Sequence, residues 1–395
     1  MTIKNHNLYP VYQDYAIVLA WPDTTARGDH KWCDVLKKSG LLKNKNFKVG
    51  HAAIVLIEKN GKLHYFDFGR YVTPRGSGRA RSKDSDPKLR LSTIAEFAKI
   101  DASISDKKLT TKVSEKRNHL LNLDEIINEI ESKKVATHGK GPLYFSIVDN
   151  IDFELGYSKA VDFVNTGSMI YSAFMPGNSN CSRFVESVLI SGLPTSSTQR
   201  KKMFIHETIV SSPISNVVNA SCDGYVYRAE NGVISAEKMS RIDSMKFFVQ
   251  KTISNFRHDL SKDLPDDSES GHTNEPQRPV QIPKDAQWLG GIGEGGWFYL
   301  DFESTSTPKL TKYSEQGEVE FERFVTSLNF KLDKPFQITY DTHAQKMTIN
   351  QDEEKIVHEL IDIPKVGANS IKNFISLNQN TSKTQLPNAL QYSEI

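Results

Sequence analysis

Apolar residues follow one another without interruption in two short segments near the start of the chain, Tyr15–Trp21 and His51–Ile57. Runs of this length that are rich in branched and aromatic residues are typical of strands buried on both faces of a sheet. Asn60-Gly61 follows the second run, and this dipeptide favours the turn of a β-hairpin. We therefore predict that the chain returns along Leu63–Phe68 as an antiparallel partner strand.

Helical spacing marks three later segments. Apolar residues three and four positions apart predict an amphipathic helix around residues 120–130, and a second helix is predicted over Tyr157–Asn165. A third helix is predicted from residues that share one helical face, namely Cys181, Phe184, Val185, Val188 and Leu189. Gly192 ends this helix, since glycine is common just beyond the last helical turn.

Basic side chains crowd residues 70–90, a stretch also rich in glycine, serine and proline and therefore predicted to be a loop. In one interpretation the loop is a mobile flap, and Arg70, Arg75 and Arg79 are its candidate contacts to an acidic or phosphate-bearing substrate. The simpler interpretation is a solvated loop. We favour the simpler one because Asp84 and Asp86 interrupt the positive charge.

Residues 261–284 are polar, proline-rich and nearly free of large apolar side chains, which is typical of a linker. They divide the chain into a predicted domain over residues 1–260 and a second over residues 285–395. Alternating apolar and polar positions predict that the second domain is a small, mainly-β accessory domain. Its segment Gly291–Gly296 formally matches GxGxxG. A strand-like Trp297 follows instead of a helix, so we interpret the segment as a glycine-rich turn rather than a dinucleotide site.

Composition excludes several classes of protein. The formal net charge of +2 gives no overall field that favours nucleic acid. Three widely spaced cysteines do not make a disulfide framework. Because no segment resembles a signal peptide or a membrane span, we expect a cytoplasmic location, and export by a non-standard route stays open.

Cys181 follows Asn180, a residue type that favours helix N-caps, so the cysteine is predicted in the first helical turn. There the helix dipole and free N–H groups stabilise a thiolate and lower the pKa of the thiol. Asn180 is also a candidate substrate contact. The competing interpretation is a buried structural cysteine, and position alone favours it.

His51 changes this balance, because it begins a buried strand where an imidazole can face a helix start. A thiolate at a helix N-terminus with a histidine on an adjacent strand is the arrangement that cysteine hydrolases need. Taken alone, His51 is better explained as a hydrogen-bonded histidine at a strand end.

Gly50-His51 before an apolar strand and hairpin, with a distant Asn180-Cys181 opening an amphipathic helix, resembles the circularly permuted papain-like proteins. These include the permuted NlpC-type peptidases and the lecithin retinol acyltransferase-like enzymes, in which the histidine precedes the cysteine. The resemblance spans residues 51–189. It implies an α+β fold with a papain-like antiparallel sheet packed on helices, Cys181 as nucleophile and His51 as base.

The resemblance also implies a third polar residue that orients the imidazole, and the candidates are Asp67 and His64. A hairpin turn at residues 60–61 brings Asp67 near His51 and leaves His64 far along the ladder, so we favour Asp67. In a regular hairpin Asp67 points to the opposite face, which requires a bulge or a wider loop. The four side chains Cys181, His51, His64 and Asp67 also suit zinc, but no short-spaced ligand pair supports a metal site.

We therefore predict a cysteine hydrolase, an amidase or peptidase that forms a thioester through Cys181, His51 and Asp67. A lipid acyltransferase is one alternative, although Ser182 and Arg183 stand where acyltransferase-like members carry an acidic residue and a histidine. The other alternative is a non-catalytic binding or scaffold protein on the same fold. The expected partner is a peptide-like or acyl substrate, and no cofactor, metal ion, nucleic acid or membrane span is predicted.

Overall fold

The structure, a computed structural model, describes residues 14–362 apart from short internal stretches. Those stretches are 29–30, 42–44, 98–119, 173–176, 206, 208–209, 255–273, 303–307, 327–328 and 332–333. Residues 261–273 of the predicted linker lie outside the described residues, and the domain boundaries at 260 and 285 stay predictions. Among the helices described, none is long and apolar enough to cross a membrane.

A large antiparallel sheet forms the N-terminal part of the fold. Its strands and a small separate pair are β1 (Asp14–Trp21), β2 (Thr25–Arg27), β3 (Asn46–Lys48), β4 (His51–Ile57), β5 (Leu63–Gly69), β6 (Ser77–Ser82), β7 (Leu143–Ile151), β8 (Met169–Ile170), β9 (Tyr225–Glu230) and β10 (Val233–Lys238). Within the described residues the sheet has eight strands in the order β10-β9-β7-β1-β4-β5-β6-β8, while β2 pairs with β3. β1 and β4 are therefore central strands.

Helices cover both faces of this sheet. They are α1 (Lys31–Lys38), α2 (Leu123–Ser132), α3 (Lys134–Thr137), α4 (Phe153–Thr166), α5 (Cys181–Gly192), α6 (Thr198–Phe204), α7 (Pro213–Ala220) and α8 (Arg241–Ser254), with a 3₁₀ turn at Pro87–Leu89. Ile54 of β4 packs with Val188 of α5 in one core, and its neighbour Val55 packs with Ile126 of α2 in the other. Burial on both faces explains why residues 16–21 of β1 and 52–57 of β4 are all apolar.

The structure confirms the elements with the strongest local patterns. Strands occupy Asp14–Trp21, His51–Ile57 and Leu63–Gly69, and a helix runs from Cys181 to Gly192 as predicted. The helix predicted over Tyr157–Asn165 lies within the longer α4.

The predicted loop over residues 70–90 was wrong in part, because Ser77–Ser82 forms β6 between β5 and β8. Two arginines that would disfavour a buried strand have buried acidic partners. Arg81 pairs with Asp67, and Arg79 pairs with Asp86 at 3.0 Å. Such pairing removes most of the cost of burying a charge, so a basic segment forms an internal strand.

A second antiparallel sheet follows in the C-terminal part. Its strands are β11 (Gln287–Leu289), β12 (Gly296–Asp301), β13 (Lys309–Tyr313), β14 (Val319–Val325), β15 (Gln337–Ile338), β16 (Lys346–Gln351) and β17 (Glu354–Ile361). In the part of the chain described, seven strands join in the order β11-β12-β13-β14-β17-β16-β15 around their own apolar core. The fold class is thus α+β, a helix-covered antiparallel sheet followed by a small mainly-β unit, as predicted.

Candidate active site

The length of the β4–β5 loop decides which face of the sheet Asp67 occupies. The backbone N–H of Glu58 donates to the carbonyl of Lys62 at 3.1 Å, so the three residues between them, 59–61, form the loop. The resulting register places Ala53 opposite Asp67. His51 lies two positions before Ala53, and side chains two apart on a strand share a face. His51 and Asp67 therefore point to the same side, because the loop is wider than a two-residue turn.

Asp67 is completely buried and accepts hydrogen bonds from several side chains. Arg81 binds the carboxylate in a bidentate manner, with Nε 3.0 Å from Oδ1 and Nη2 2.7 Å from Oδ2. The hydroxyls of Tyr65 and Tyr71 each donate to Oδ2 at 3.2 Å. Charge-assisted bidentate bonds of this kind fix a carboxylate firmly in one orientation.

The imidazole of His51 is held by this carboxylate. Its Nε2 lies 3.2 Å from Asp67 Oδ2 and 3.2 Å from the Tyr71 hydroxyl. The Trp21 ring stacks on the imidazole with a centroid distance of 6.0 Å. Because Asp67 and Tyr71 occupy Nε2, the other ring nitrogen, Nδ1, is left for the thiol.

Cys181 is the first residue of α5, and its thiol lies near enough to the imidazole of His51 for each group to shift the pKa of the other. The Tyr171 hydroxyl lies 3.8 Å from the sulfur, and the backbone N–H of Ala52 also interacts with it. By strand alternation His51 belongs to the face of Trp21, whereas α5 packs on the opposite face. The two groups meet because His51 begins β4 and lies at the end of the sheet.

The site holds opposite charges in contact. Burial alone would lower the pKa of His51, but hydrogen bonds to Asp67 and Cys181 and their charges raise it to about 9. Burial would raise the pKa of Cys181, but the hydrogen bond and charge of His51 lower it below its ordinary value. Burial would also raise the pKa of Asp67, yet the Arg81 charge and the His51 hydrogen bond hold it well below its usual range. These directions favour a thiolate–imidazolium pair beside an ionised carboxylate.

Asn180 caps the helix that carries Cys181. Its side-chain oxygen accepts from the backbone N–H of Arg183 at 2.9 Å. We expect Asn180→Ala to lower the free energy of unfolding by about 1 kcal/mol, because one N–H at the helix start loses its acceptor. Asn180→Ser, which can still cap, is the matched control in urea denaturation. Equal stability of the two variants would contradict this role.

His64 lies at the other end of the hairpin from the site. Its ring packs against Phe153 and Tyr157, with centroid distances of 5.2 and 5.1 Å, as expected for a packed strand histidine. The zinc arrangement weighed from the sequence is not assembled. Within the described ranges, no three histidine, cysteine or acidic side chains converge closely enough to hold a metal ion.

The three candidate arginines occupy different surroundings. Arg70 stacks over the ring of Tyr171 at 4.5 Å, next to the sulfur of Cys181. Arg79 is buried and pairs with Asp86, so it belongs to the framework of β6 rather than to a mobile flap. Arg75 lies in the turn before β6 and is exposed. Substrate contacts by these arginines and by Asn180 stay predictions.

Sequence reasoning missed the side chains that surround the pair. Tyr65 was recognisable in principle, because it lies two positions before Asp67 and must share its face. Arg81, Tyr71 and Tyr171 carry no local signal, since each reaches the site through tertiary packing. Burial and the Asp67 charge raise the pKa of Tyr71 well above its ordinary value, so its hydroxyl stays a donor.

Two different protein families match two different parts of this chain. Residues 16–198, just under half of the chain, match the family of Type VI secretion system effector TseH-like proteins. Residues 286–361 match the DUF6695 C-terminal domain family. The crystal structure of the Type VI secretion system effector TseH aligns with a TM-score of 0.37 and 12% identity, over 57% of this chain and 98% of that chain. No curated protein matches the chain. The segment that carries His51, Asp67 and Cys181 is thus similar to TseH-like effectors.

Proposed function

We propose that this protein is a cysteine hydrolase that cleaves an amide bond in a peptide-like substrate through Cys181, His51 and Asp67. One observation carries the proposal: a thiol at a helix N-terminus lies beside an imidazole whose Nε2 a buried carboxylate holds, and each of thiol and imidazole shifts the pKa of the other. A structural cysteine needs none of these partners. Nucleophile, base and orienting group in this order are what covalent acyl chemistry requires.

In the first half of the reaction, the Cys181 thiolate attacks the substrate carbonyl carbon and forms a tetrahedral oxyanion. N–H groups at the start of α5 and the Tyr171 hydroxyl, which lies 3.8 Å from the sulfur, are candidate donors for that oxyanion. His51 then passes its proton to the leaving nitrogen as the C–N bond breaks, which leaves a thioester. Asp67 keeps the imidazolium oriented and stabilised throughout.

In the second half, neutral His51 takes a proton from water, and the resulting hydroxide equivalent attacks the thioester carbonyl. The C–S bond breaks, the carboxylic acid product leaves, and the thiolate–imidazolium pair is restored. The depressed pKa of Cys181 makes the thiolate a competent leaving group as well as a nucleophile.

The similarity of residues 16–198 to TseH-like proteins supports a further part of the proposal, that the chain acts as a Type VI secretion system effector. Such a role requires export without a signal peptide.

One observation favours the alternative of a non-catalytic binding protein. Cys181 and His51 are each only 6% exposed, which leaves little of the sulfur open to a substrate carbonyl. The Tyr171 hydroxyl lies 3.8 Å from the sulfur, and Arg70 stacks over the Tyr171 ring, so these two side chains border the thiol. The reactivity of Cys181 decides between the two functions.

We expect iodoacetamide to modify Cys181 at pH 7 faster than an ordinary thiol, and His51→Ala to slow that reaction by about tenfold or more as the thiolate loses its partner. His64→Ala is the matched control, since His64 lies on the same hairpin away from the sulfur. Cys222 is an internal reference, because partial burial and Asp149 raise the pKa of its thiol to about 12. Peptide mass spectrometry resolves the sites, and a Cys181 rate unaffected by His51→Ala would refute the proposal.

A further inference from the structure

The C-terminal sheet sends a glycine-rich loop, residues 290–295, into the region beside the candidate active site. The backbone of this loop pairs with the segment that follows β5. Val72 N–H donates to the carbonyl of Glu294 at 2.7 Å, and Gly293 N–H donates to the carbonyl of Arg70 at 2.9 Å. Between these two bonds lies Tyr71, whose hydroxyl contacts both His51 and Asp67.

Glycine is required where the two backbones approach. A Cβ atom at Gly291 would lie 2.4 Å from the Glu294 carbonyl oxygen and 2.8 Å from Val72 N. The sequence pattern that resembles a dinucleotide-binding loop is therefore explained by contact between two chain segments.

Val72 ties the two units together at a strained position. Its φ is 30°, a left-handed conformation that a β-branched residue adopts only under constraint. Its side chain is fully buried in the core of the C-terminal sheet, with Phe298 and Leu310 among the members of that core. The residue next to Tyr71 is thus bonded to and buried by the C-terminal unit in a conformation that costs energy.

The Glu294 side chain reaches the same site from the other side of Arg81. Its carboxylate lies 3.4 Å from Arg81 Nη1, 3.0 Å from His138 Nε2 and 2.9 Å from Lys312 Nζ. Arg81 meanwhile binds Asp67 and stacks 3.3 Å from the centroid of the Tyr71 ring. A continuous chain of charged contacts therefore runs from Lys312 in the C-terminal sheet to His51.

We propose that Glu294 is a positioning residue, and that its loop completes the active site by holding Arg81 and Tyr71 against the Asp67–His51 pair. The proposal rests on the proposed function for the meaning of the site. The C-terminal unit is then part of the catalytic apparatus and not only a separate accessory domain. Removing the Glu294 charge leaves more of the positive charge of Arg81 facing the imidazolium, which disfavours protonated His51.

The test uses the full chain with Glu294→Gln and Gly291→Ala, and follows the titration of the His51 ring by NMR. We expect Glu294→Gln to lower the pKa of His51 by about half a unit or more, because the positive charge of Arg81 is less well compensated. Gly291→Ala should change the same pKa, because it displaces the loop backbone that pairs with Val72 next to Tyr71. Glu294→Asp, which keeps the charge, should recover part of the shift. Glu354→Gln, an exposed carboxylate of the same sheet, is the matched control and should change nothing.

Folding of each variant is checked by circular dichroism, and Glu294→Gln alone decides if Gly291→Ala does not fold. A His51 titration in folded Glu294→Gln that equals that of the unmodified protein would overturn the proposal. Failure of the proposed function has a different signature: Cys181 would be unreactive in the unmodified protein, while the His51 titration would still respond to Glu294.

Discussion

Replacing Asp67 with alanine is expected to lower the free energy of unfolding by about 3–5 kcal/mol, the largest effect of any single substitution in the site. The reason is that the substitution leaves buried polar side chains without the carboxylate they bind. Arg81 is only 2% exposed, and its two bonds to the Asp67 carboxylate are lost. Tyr65 and Tyr71 also lose their acceptor in a buried space. A buried guanidinium that keeps only the 3.4 Å contact to Glu294 and the bond to the Ala136 carbonyl costs more than the deleted contacts contribute.

Urea denaturation with a second substitution separates these causes. Asp67→Ala combined with Arg81→Met should regain part of the lost stability, because no buried charge is then left without its carboxylate. Asp124→Ala, at an exposed position of α2, is the control and should cost less than about 0.5 kcal/mol. A loss below about 1 kcal/mol for Asp67→Ala would mean that Arg81 finds another acceptor and that Asp67 is not the centre of the cluster.

The same variants separate stability from chemistry. Asp67→Asn keeps the shape of the side chain but removes its charge, so the pKa of His51 should fall while most packing is retained. Cys181 should then react more slowly with iodoacetamide even where the protein remains folded. If Asp67→Asn is folded and Cys181 is alkylated slowly, then Asp67 orients His51 and keeps it protonated, in addition to any role in folding.

The elements that carry His51 and Cys181 could be predicted, because each forms through a pattern of neighbouring residues in the sequence. The apolar run of β4 and the cap that begins α5 each depend on a few consecutive residues, and both elements form where the sequence predicts them. The relation between His51 and Asp67 was harder to predict. It depends on whether the hairpin loop holds two residues or three, and the Asn-Gly dipeptide is compatible with either.

The rest of the site depends on contacts between residues far apart in the chain. Arg81 is separated from Asp67 by 14 positions and from Glu294 by 213. Whether a basic segment becomes a solvated loop or a buried strand is decided by such partners, and periodicity does not reveal them. For the same reason, the glycines of residues 290–295 were recognisable as a turn but not as a contact to Tyr71 and Val72.

The last expected result concerns pH and rests on two opposed titrations. The pKa of His51 is raised from 6.5 to about 9, so its contribution to stability is complete below pH 6.5 and is lost as the pH rises toward 9. The pKa of Cys181 is lowered, so its contribution is complete above the ordinary value of 9.0 and is lost as the pH falls through the folded-state pKa. Between the folded-state pKa of Cys181 and pH 9 the two contributions change in opposite directions, so the free energy of unfolding should depend on pH less steeply than either titration alone would make it.

Cys181→Ser removes one of the two titrations and should expose the other. In this variant the free energy of unfolding is expected to fall relative to the unmodified protein as the pH rises above 6.5. The fall should be smaller than roughly 3 kcal/mol, since each pH unit corresponds to about 1.4 kcal/mol for one proton and the loss of the Cys181 charge lowers the pKa of His51 below about 9. Urea denaturation at intervals across this pH range measures the difference in the free energy of unfolding. The titrations of Cys33 and Cys222 cancel in that difference, because both proteins contain these two cysteines. Parallel curves for the two proteins would mean that His51 is neutral in the folded state. The thiolate–imidazolium pair would then be absent, because a thiolate at this buried position depends on the adjacent positive charge.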